Sequence, residues 1–386
     1  MRFLVLTSVA FSVAALPAIA IGAQQKASGG PEATYWVSAE TASGLAAGTP
    51  TGVTRKLQLQ LGSGRKAAGQ PLAEHLPPSG LQAGASLPLS TPAVAAGPGR
   101  AIPAASFDPS KIKGKMLIYW GCGEQARAGQ PLAVDLATMA AGKASLSTAM
   151  INVAAMMPPA PGRHASYGEW PNSQGGNTVP ASSSLVGEHF VRGNYTPDIK
   201  FALGPTNDFL EPLSPKSASL SSGAVRVSWP TLAQAKAYGA SVIGSTGDGT
   251  VIIWSSSEVR MVGTALPDYL AQGDIDRLVQ QKALLSPRNT ECAVPAEVVK
   301  ATRGAMLQMT AYGPEANFAA PRGTLGGWTV KVRSKATHMG MLGAETPQLS
   351  EQQNTSRPAS EILSQPIPSS RARLLKGIGS VFGARH

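Results

Sequence analysis

The sequence predicts an all-β protein with two β-sandwich-like domains, the second of which carries a helical insertion. Gly (42) and Pro (31) are abundant among the 386 residues, together roughly 19% against roughly 12% in an average protein. Charged residues make up only 14%. Short apolar runs that alternate with polar residues recur between the turn-forming residues, and helical spacing is confined to one segment. This pattern favours short strands joined by turns over long helices.

The first 23 residues are typical of a secretory signal peptide. Arg2 gives a positive start, residues 3–16 form an apolar run, and Ala18-Ile19-Ala20 offers a small-residue exit, which together make the signal pattern. The run is shorter than the roughly 20 apolar residues that cross a bilayer. No cysteine lies near the cleavage point, so a lipid-anchored form is not expected. We therefore expect the mature protein in the periplasm or secreted beyond the cell.

The N-terminal region, residues 24–111, is predicted to hold one or two strands and a linker. A short strand is expected at Tyr35-Trp36-Val37, and a second over 53–61, where three leucines alternate with glutamines. Such alternation is typical of a half-buried strand. Residues 62–110 are rich in Gly, Ala, Pro and Ser and show little periodicity, which indicates a flexible linker.

Two sandwich-like domains are predicted to follow, at 112–213 and 214–336. In the first, strands are expected at 115–120, 131–136, 184–191 and 198–203. In the second, strands are expected at 225–229, 237–243, 251–254, 306–312 and 328–332. Gly247-Asp248-Gly249 predicts a hairpin turn between two of these strands.

The helical insertion is predicted at 264–284, where apolar residues recur at helical spacing. Pro267-Asp268 and Gly273-Asp274 resemble helix starts, and Asp274 is the expected N-cap of the second. This segment interrupts the run of strands, so we expect it to be an insertion in the second domain.

Part of the second domain resembles a fibronectin type III-like module. In that family a Trp ends the second strand inside the core and a Tyr opens the third, and Trp229 and Tyr238 occupy the matching places. The strands at 307–312 and 328–332 would then be the last two. The resemblance implies a spacer or binding module. The whole chain also resembles a family of uncharacterised exported proteins of Gram-negative bacteria that carry the Tyr-Trp-Gly-Cys-Gly-Glu stretch, which implies a compartment and no activity.

The two cysteines, Cys122 and Cys292, predict a disulfide if the protein is exported. The bond would close a loop of about 170 residues and stabilise the fold by roughly 5 kcal/mol in the chain-entropy model. Two buried thiols, or a reactive or metal-binding Cys122 between its flanking glycines, are the alternatives. A nearby carboxylate raises a thiol pKa, so Glu124 opposes the reactive alternative. The candidate bases for such a thiol are His75, His164, His189 and His338.

Motifs for other chemistry are missing, so we expect no metal and no cofactor. Glu188-His189 is an isolated pair whose side chains would point to opposite faces of a strand. No G-x-S-x-G motif is present, and the glycine-rich run at 244–249 lacks the Lys of a phosphate loop. The carboxylates that could form a hydrolytic pair show no distinguishing spacing; they are Asp198, Asp208, Asp268, Asp274, Asp276 and Glu211.

The net charge of +11 does not indicate a nucleic-acid partner. Nucleic-acid binding needs a basic stripe with stacking aromatics, and aromatic residues are only 5%. Residues 337–386 are predicted to be a flexible basic tail. Its last part, 371–386, mixes apolar and basic residues, and weak contact with a membrane surface or a frayed tail are the two alternatives.

The sequence predicts a non-enzymatic exported protein of the cell envelope that acts by binding or structure. Tyr167, Glu169 and Trp170 lie in a Gly- and Pro-bounded segment and are the predicted binding surface; the alternative is that they pack at a sandwich edge. An envelope protein or a glycan is the expected partner. Two hypotheses compete with this one: a secreted hydrolase whose site is assembled from scattered residues, and an envelope-surface adaptor that uses the basic tail at 371–386.

Overall fold

A computed structural model describes most of the chain between residues 31 and 343. The described residues are 31–48, 52–92, 114–140, 153, 156–172, 176–260, 266–302, 304–321 and 326–343. The predicted signal peptide and the predicted amphipathic segment at 371–386 lie outside them. All described residues belong to one compact unit.

The all-β prediction is confirmed, since the described residues form seventeen strands and three short α-helices. The first eight strands are β1 Ala33–Gly44, β2 Val53–Ser63, β3 Ala73–Leu76, β4 Leu87–Pro88, β5 Lys115–Trp120, β6 Leu132–Asp135, β7 Ser166–Trp170 and β8 Thr178–Val179. The others are β9 Gly187–Gly193, β10 Ile199–Leu203, β11 Lys216–Ser219, β12 Val225–Ser228, β13 Ala237–Ser245, β14 Val251–Ser255, β15 Glu291–Val294, β16 Ala305–Ala319 and β17 Trp328–Met341. The helices are α1 Leu136–Ala140, α2 Gln272–Gln280 and α3 Ala296–Ala301.

A ten-stranded sheet joins strands from the predicted N-terminal region and from both predicted domains. Its order is β6-β5-β14-β13-β16-β17-β1-β2-β7, and β8 pairs with β2 beside β7. The pairs β1–β17 and β5–β14 are parallel, and the other pairs are antiparallel. Because β5 comes from the predicted first domain and β14 from the second, this sheet crosses the predicted boundary at 213/214.

Two smaller sheets, β10-β9-β3-β4 and β11-β12-β15, form two separate cores with the large sheet. The core with β11-β12-β15 contains Val227, Trp229, Val242 and Leu307. The core with β10-β9-β3-β4 contains Tyr35, Leu59, Phe201 and Val330.

Strand β17 contributes to both cores from a single face. Trp328, Val330 and Val332 lie in the core with β3 and β9, and Ala336 lies in the core with β12. Side chains two residues apart share one face of a strand, so both smaller sheets pack on the same face of the large sheet. The odd-numbered residues of β17 lie on the opposite face of the large sheet.

The predicted linker at 62–110 contains ordered structure that the sequence pattern did not reveal. Strands β3 and β4 lie there, and Leu81, Leu87 and Leu89 are buried in a core. These strands have four and two residues, too few to establish a period that distinguishes them from a loop. Residues 93–113 lie outside the described part of the chain.

The predicted helical insertion is a helix of nine residues, α2, and its predicted cap is wrong. Ala271 occupies the N-cap position, and Asp274 lies in the first turn. There the Asp274 carboxylate accepts a hydrogen bond of 2.6 Å from Arg277. No helix begins at Pro267-Asp268. The apolar face of α2 packs through Ile275 and Leu278 in a small cluster on the large sheet.

The predicted turn between β13 and β14 is confirmed. The Thr246 N–H donates to the Thr250 carbonyl (2.9 Å), and Gly249 has a φ of +86°, which L-residues with a side chain rarely adopt. At the other end of the domain, β17 continues to Met341 because its residues pair with β16 as far as Met306. The predicted tail therefore begins later than residue 337.

Candidate functional site

The predicted disulfide between Cys122 and Cys292 is confirmed. It joins the segment after β5 to β15, and thus the large sheet to a smaller one. The Gly123 N–H donates to the Ala293 carbonyl (3.0 Å), and the Glu124 carbonyl accepts from the Ala296 N–H (3.0 Å). A disulfide sulfur is not a thiolate nucleophile, so catalysis by Cys122 does not apply to this structure.

The predicted binding surface around Tyr167 and Trp170 lies on β7, at an edge of the large sheet. Tyr167 is only 4% exposed, and its hydroxyl donates to the Glu169 carboxylate (2.6 Å). Trp170 is half-buried against the core that contains Tyr35. These aromatic rings pack at the sheet edge, which was the alternative interpretation, and Tyr167 is not an exposed anchor.

Two of the predicted histidines form a buried hydrogen-bonded chain with Tyr35. His189 Nε2 lies 2.7 Å from the Leu185 carbonyl and therefore donates to it. His189 Nδ1 then accepts from His75 Nε2 (3.0 Å), and His75 Nδ1 accepts from the Tyr35 hydroxyl. Each ring is neutral in this arrangement, and every ring nitrogen has a partner. Burial holds the pKa of His75 well below its usual value and also lowers that of His189.

This hydrogen-bonded chain has a structural role because it is closed off from solvent. His75 and His189 are both 1% exposed, and Phe201 stacks on the His189 ring with centroids 4.8 Å apart. Glu188, as predicted, points to the opposite face and is exposed. Among the described residues, no group of three or more His, Cys, Asp or Glu side chains could hold a metal ion.

A cavity of about 430 Å³ lies on the face of the large sheet that carries neither core. Residues of β13, β14, β16, β17, β1 and β2 line its floor, and residues 266–268 and 283–284 beside α2 line its wall. Its size falls within the range of roughly 300–1,000 Å³ that is usual for ligand pockets. We call it the polar cavity.

The floor of the polar cavity is a row of polar side chains across adjacent strands. Ser241 on β13 pairs with Ser255 on β14 and with Gln308 on β16. Thr310 on β16 pairs with Thr337 on β17. The residues between them along β13 and β16 are core residues of the opposite face, such as Val242 and Met309. Strand alternation therefore places this row on one surface.

Four charged groups lie at one end of the row and pair with one another. Lys335 Nζ is 3.5 Å from the Glu40 carboxylate and 3.2 Å from that of Asp268, and its side chain is 7% exposed. Lys56 Nζ is 3.7 Å from Glu40. The Thr337 hydroxyl also donates to Glu40 (2.7 Å). Two cations and two anions thus line this end of the cavity.

An aromatic–cation stack fixes the wall of the cavity to the sheet. The Arg333 guanidinium lies between two rings, 4.7 Å from the Trp36 centroid and 4.2 Å from the Tyr269 centroid. Arg333 Nε donates to the Ser38 hydroxyl (2.8 Å), and the Tyr269 hydroxyl donates to the Ala39 carbonyl (3.2 Å). Burial lowers the pKa of Arg333 and raises that of Tyr269. Such contacts between cations and rings stabilise by about 2 kcal/mol when desolvated.

Three polar side chains on the cavity floor have no hydrogen-bond partner in the described part of the chain. They are Ser241, Gln308 and Thr310, and all three line the cavity. Ser241 is only 6% exposed. Buried polar groups are nearly always hydrogen-bonded to protein or to water. The cavity therefore presents free hydrogen-bonding groups to whatever occupies it.

Two residues named from the sequence, Asp268 and the candidate base His338, line this cavity, and its other polar groups were missed. Glu40, Ser241, Thr310 and Lys335 lie far apart in the chain, on four different strands. In the sequence they show only as polar residues at alternate strand positions. Such a pattern indicates the face of a strand that points away from the core, and it does not distinguish a binding site. Three of the other candidate carboxylates have local partners: Asp208 accepts from the Leu185 N–H (2.7 Å), Asp274 from Arg277 (2.6 Å) and Asp276 from Gln272 (2.9 Å).

None of the helices in the described ranges is long and apolar enough to cross a bilayer. No protein-family model, no curated protein and no solved structure matches this chain.

Proposed function

We propose that this protein is a non-enzymatic exported protein of the cell envelope that binds a small ligand in the polar cavity. The observation that carries the proposal is the row of unpartnered polar side chains, Ser241, Gln308 and Thr310, on the floor of the cavity. Tyr269 and its cation stack hold residues 266–268 beside the row.

Export is part of the proposal and has two supports. The N-terminal residues have the signal pattern, and disulfides persist mainly in oxidising compartments. The Cys122–Cys292 disulfide is compatible with the periplasm or with secretion. The expected partner remains a glycan or an envelope protein.

The proposal also includes a fibronectin type III-like module formed by β11 to β17. Two facing sheets, β11-β12-β15 and β14-β13-β16-β17, support it, because such sandwiches place their second and third strands in opposite sheets. Trp229, directly after β12, and Tyr238 on β13 pack together in the core with ring centroids 5.5 Å apart. In this proposal α2 is an insertion between β14 and β15. The module then provides the sheet on which the cavity is built.

A secreted hydrolase is the second candidate, because two carboxylates approach one another in the cavity. Glu40 and Asp268 both lie within 3.5 Å of Lys335 Nζ, so they are at most about 7 Å apart, within the range of glycosidase pairs. Against this, the ammonium group of Lys335 lies between them, where a glycosidase needs room for a water or a sugar carbon. Binding is therefore the function that the geometry supports best.

A thermal-shift screen with defined small molecules tests the proposal. The panel contains amino acids, dipeptides, neutral sugars, polyols and carboxylic acids. We expect at least one compound to raise the melting temperature of the wild-type protein and to have a smaller effect on Thr310→Met, which narrows the cavity and removes one hydroxyl from its floor. Thr329→Met is the matched control, because Thr329 is also a half-buried strand threonine and does not line the cavity.

Two results would refute the proposal. One is that no compound of the panel stabilises the wild-type protein. The other is that every stabilising compound acts equally on Thr310→Met. A cleavage product that appears in the same mixtures, and disappears with Glu40→Gln, would favour the hydrolase.

A further inference from the structure

We infer that the ligand of the polar cavity is an uncharged polyhydroxylated molecule, namely a monosaccharide, a disaccharide or a similar polyol. This inference rests on the proposed function, because it names the chemical class that the same cavity selects. Three properties of the cavity lead to it: its balance of charge, the hydrogen-bonding groups on its floor, and its size.

The charges of the cavity are already matched within the protein. Lys335 contacts both Glu40 and Asp268, and Lys56 contacts Glu40. A charged ligand would have to compete with these pairs. Asp268 is 89% exposed, so the costly loss is that of the Lys335–Glu40 pair, whose side chains are 7% and 18% exposed. Lys335 is the critical group, since its side chain is 7% exposed. An uncharged ligand leaves the pairs intact.

The unpartnered groups of the floor suit hydroxyl groups. Ser241 and Thr310 each offer one donor and two acceptor positions, and the amide of Gln308 offers two donors and one acceptor oxygen. A ligand hydroxyl both donates and accepts, so it matches any of these groups in either direction. Ser241 is only 6% exposed, so a ligand that covers its hydroxyl must offer a hydrogen-bonding group in return. Ser241 and Gln308 face one another on adjacent strands, and Thr310 lies two residues from Gln308 on the same strand, so the three groups form one compact patch on the floor.

The size of the cavity limits the ligand to one or two sugar rings. A volume of about 430 Å³ corresponds to roughly 14 water molecules at about 30 Å³ each. The walls also offer apolar groups from Leu266, Pro267, Leu284 and Met339. These side chains suit the C–H face of a ring, while the floor suits its hydroxyls.

Calorimetric titration with neutral and charged sugars tests the inference. The probes are glucose, N-acetylglucosamine, maltose and N,N′-diacetylchitobiose, with glucuronic acid and glucosamine as charged analogues and Ala-Ala as a non-sugar. We expect at least one neutral sugar to bind and its charged analogue to bind at least about tenfold more weakly, because that analogue must disrupt an ion pair.

Three variants locate the binding. Ser241→Ala and Thr310→Val each remove one hydroxyl. Each is expected to weaken the affinity for the neutral sugar by about threefold to tenfold, which is the effect of one hydrogen bond. Thr329→Val, outside the cavity, is expected to bind as the wild type does. Circular dichroism melting curves confirm that each variant is folded before titration.

The outcomes separate this inference from the proposed function. Binding of Ala-Ala or of a charged sugar, lost in Thr310→Val, with no neutral sugar bound, overturns the inference and leaves the proposed function in place. Binding of a neutral sugar that is equally strong in Ser241→Ala and Thr310→Val overturns the assignment to this cavity. If no probe of either panel binds, both the inference and the proposed function fail.

Discussion

The buried chain from Tyr35 through His75 to His189 makes the fold sensitive to acid. Both rings are neutral and fully bonded in the folded protein, and burial lowers the pKa of each. In the unfolded chain the same rings titrate near pH 6.5. Below that pH the unfolded state therefore binds more protons than the folded state. Stability is fully present above about pH 6.5 and is lost as the pH falls below it, until the folded-state pKa is reached.

The size of the effect follows from proton linkage. Each histidine that stays neutral in the folded state lowers the free energy of unfolding by up to about 1.4 kcal/mol per pH unit. Between pH 6.5 and 5.0, the protonation of His75 in the unfolded chain thus lowers the free energy of unfolding by up to about 2 kcal/mol. The pKa of His189 is lowered by a smaller amount, so its contribution to this loss is smaller. This loss is a large fraction of the roughly 5–15 kcal/mol that stabilises a typical domain.

Urea denaturation at pH 7.5 and at pH 5.0, followed by tryptophan fluorescence, measures this loss. His75→Gln keeps one acceptor and one donor but does not titrate, so we expect it to lose about 2 kcal/mol less between the two pH values than the wild type. His164→Gln is the control, because His164 is only half-buried and its pKa is lowered by a smaller degree of burial.

Equal pH dependence in the wild type and in His75→Gln would refute this reasoning. A change in His164→Gln as large as that in His75→Gln would also contradict it, since the buried chain would then not be the source. A lower stability of His75→Gln at both pH values does not bear on the question, because the prediction concerns the difference between them.

Three further predictions concern the architecture. Replacing Cys122 and Cys292 together by Ser lowers the free energy of unfolding by up to about 5 kcal/mol, measured by urea denaturation; an unchanged midpoint would contradict the role of the disulfide as a staple between sheets. Arg333→Ala speeds hydrogen exchange and proteolysis in the segment that carries α2, and unchanged protection there would show that the cation stack does not hold the cavity wall. Gly168→Ala places a Cβ 2.6 Å from a backbone carbonyl oxygen and costs about 1–3 kcal/mol, which a melting curve equal to that of the wild type would disprove.

Strand positions could be predicted where an apolar alternation lasted several residues. Strand β2 and the pair β13–β14 lie where period-two leucines, a Gly-Asp-Gly turn and a β-branched run predicted them. The disulfide could also be predicted, because the sequence contains only two cysteines and its N-terminal pattern predicts export. These features are local, or depend on composition alone.

Features that depend on distant pairing could not be predicted from one sequence. The parallel pairing of β1 with β17 joins residues about 300 positions apart, and no local pattern indicates it. That pairing brings Glu40 beside Lys335 and so completes the charged end of the polar cavity. The strands in the predicted linker were missed for a different reason, since they are too short to show a period.

The predicted binding surface illustrates a limit of composition arguments. Tyr167 and Trp170 lie in a segment bounded by Gly and Pro, which is compatible with both an exposed loop and an edge strand. Pairing with β2 at Leu59 and Gly62 made it an edge strand, and one aromatic ring was buried as a result. Residues without a distinctive sequence signal, such as Ser241, form the candidate site instead.

The most direct test of the central claim, that the polar cavity binds a ligand, is a titration read at methionine methyl groups. Met339 lines the cavity, and Met309 is fully buried in a core on the opposite face of the same sheet. Methyl spectra of protein labelled with ¹³C at methionine, assigned with Met→Leu variants, are recorded as the sugars and the other probes are added. The account predicts that at least one probe shifts the Met339 signal in a saturable manner while the Met309 signal stays in place. No shift of Met339 with any probe, or equal shifts of both signals, would contradict it.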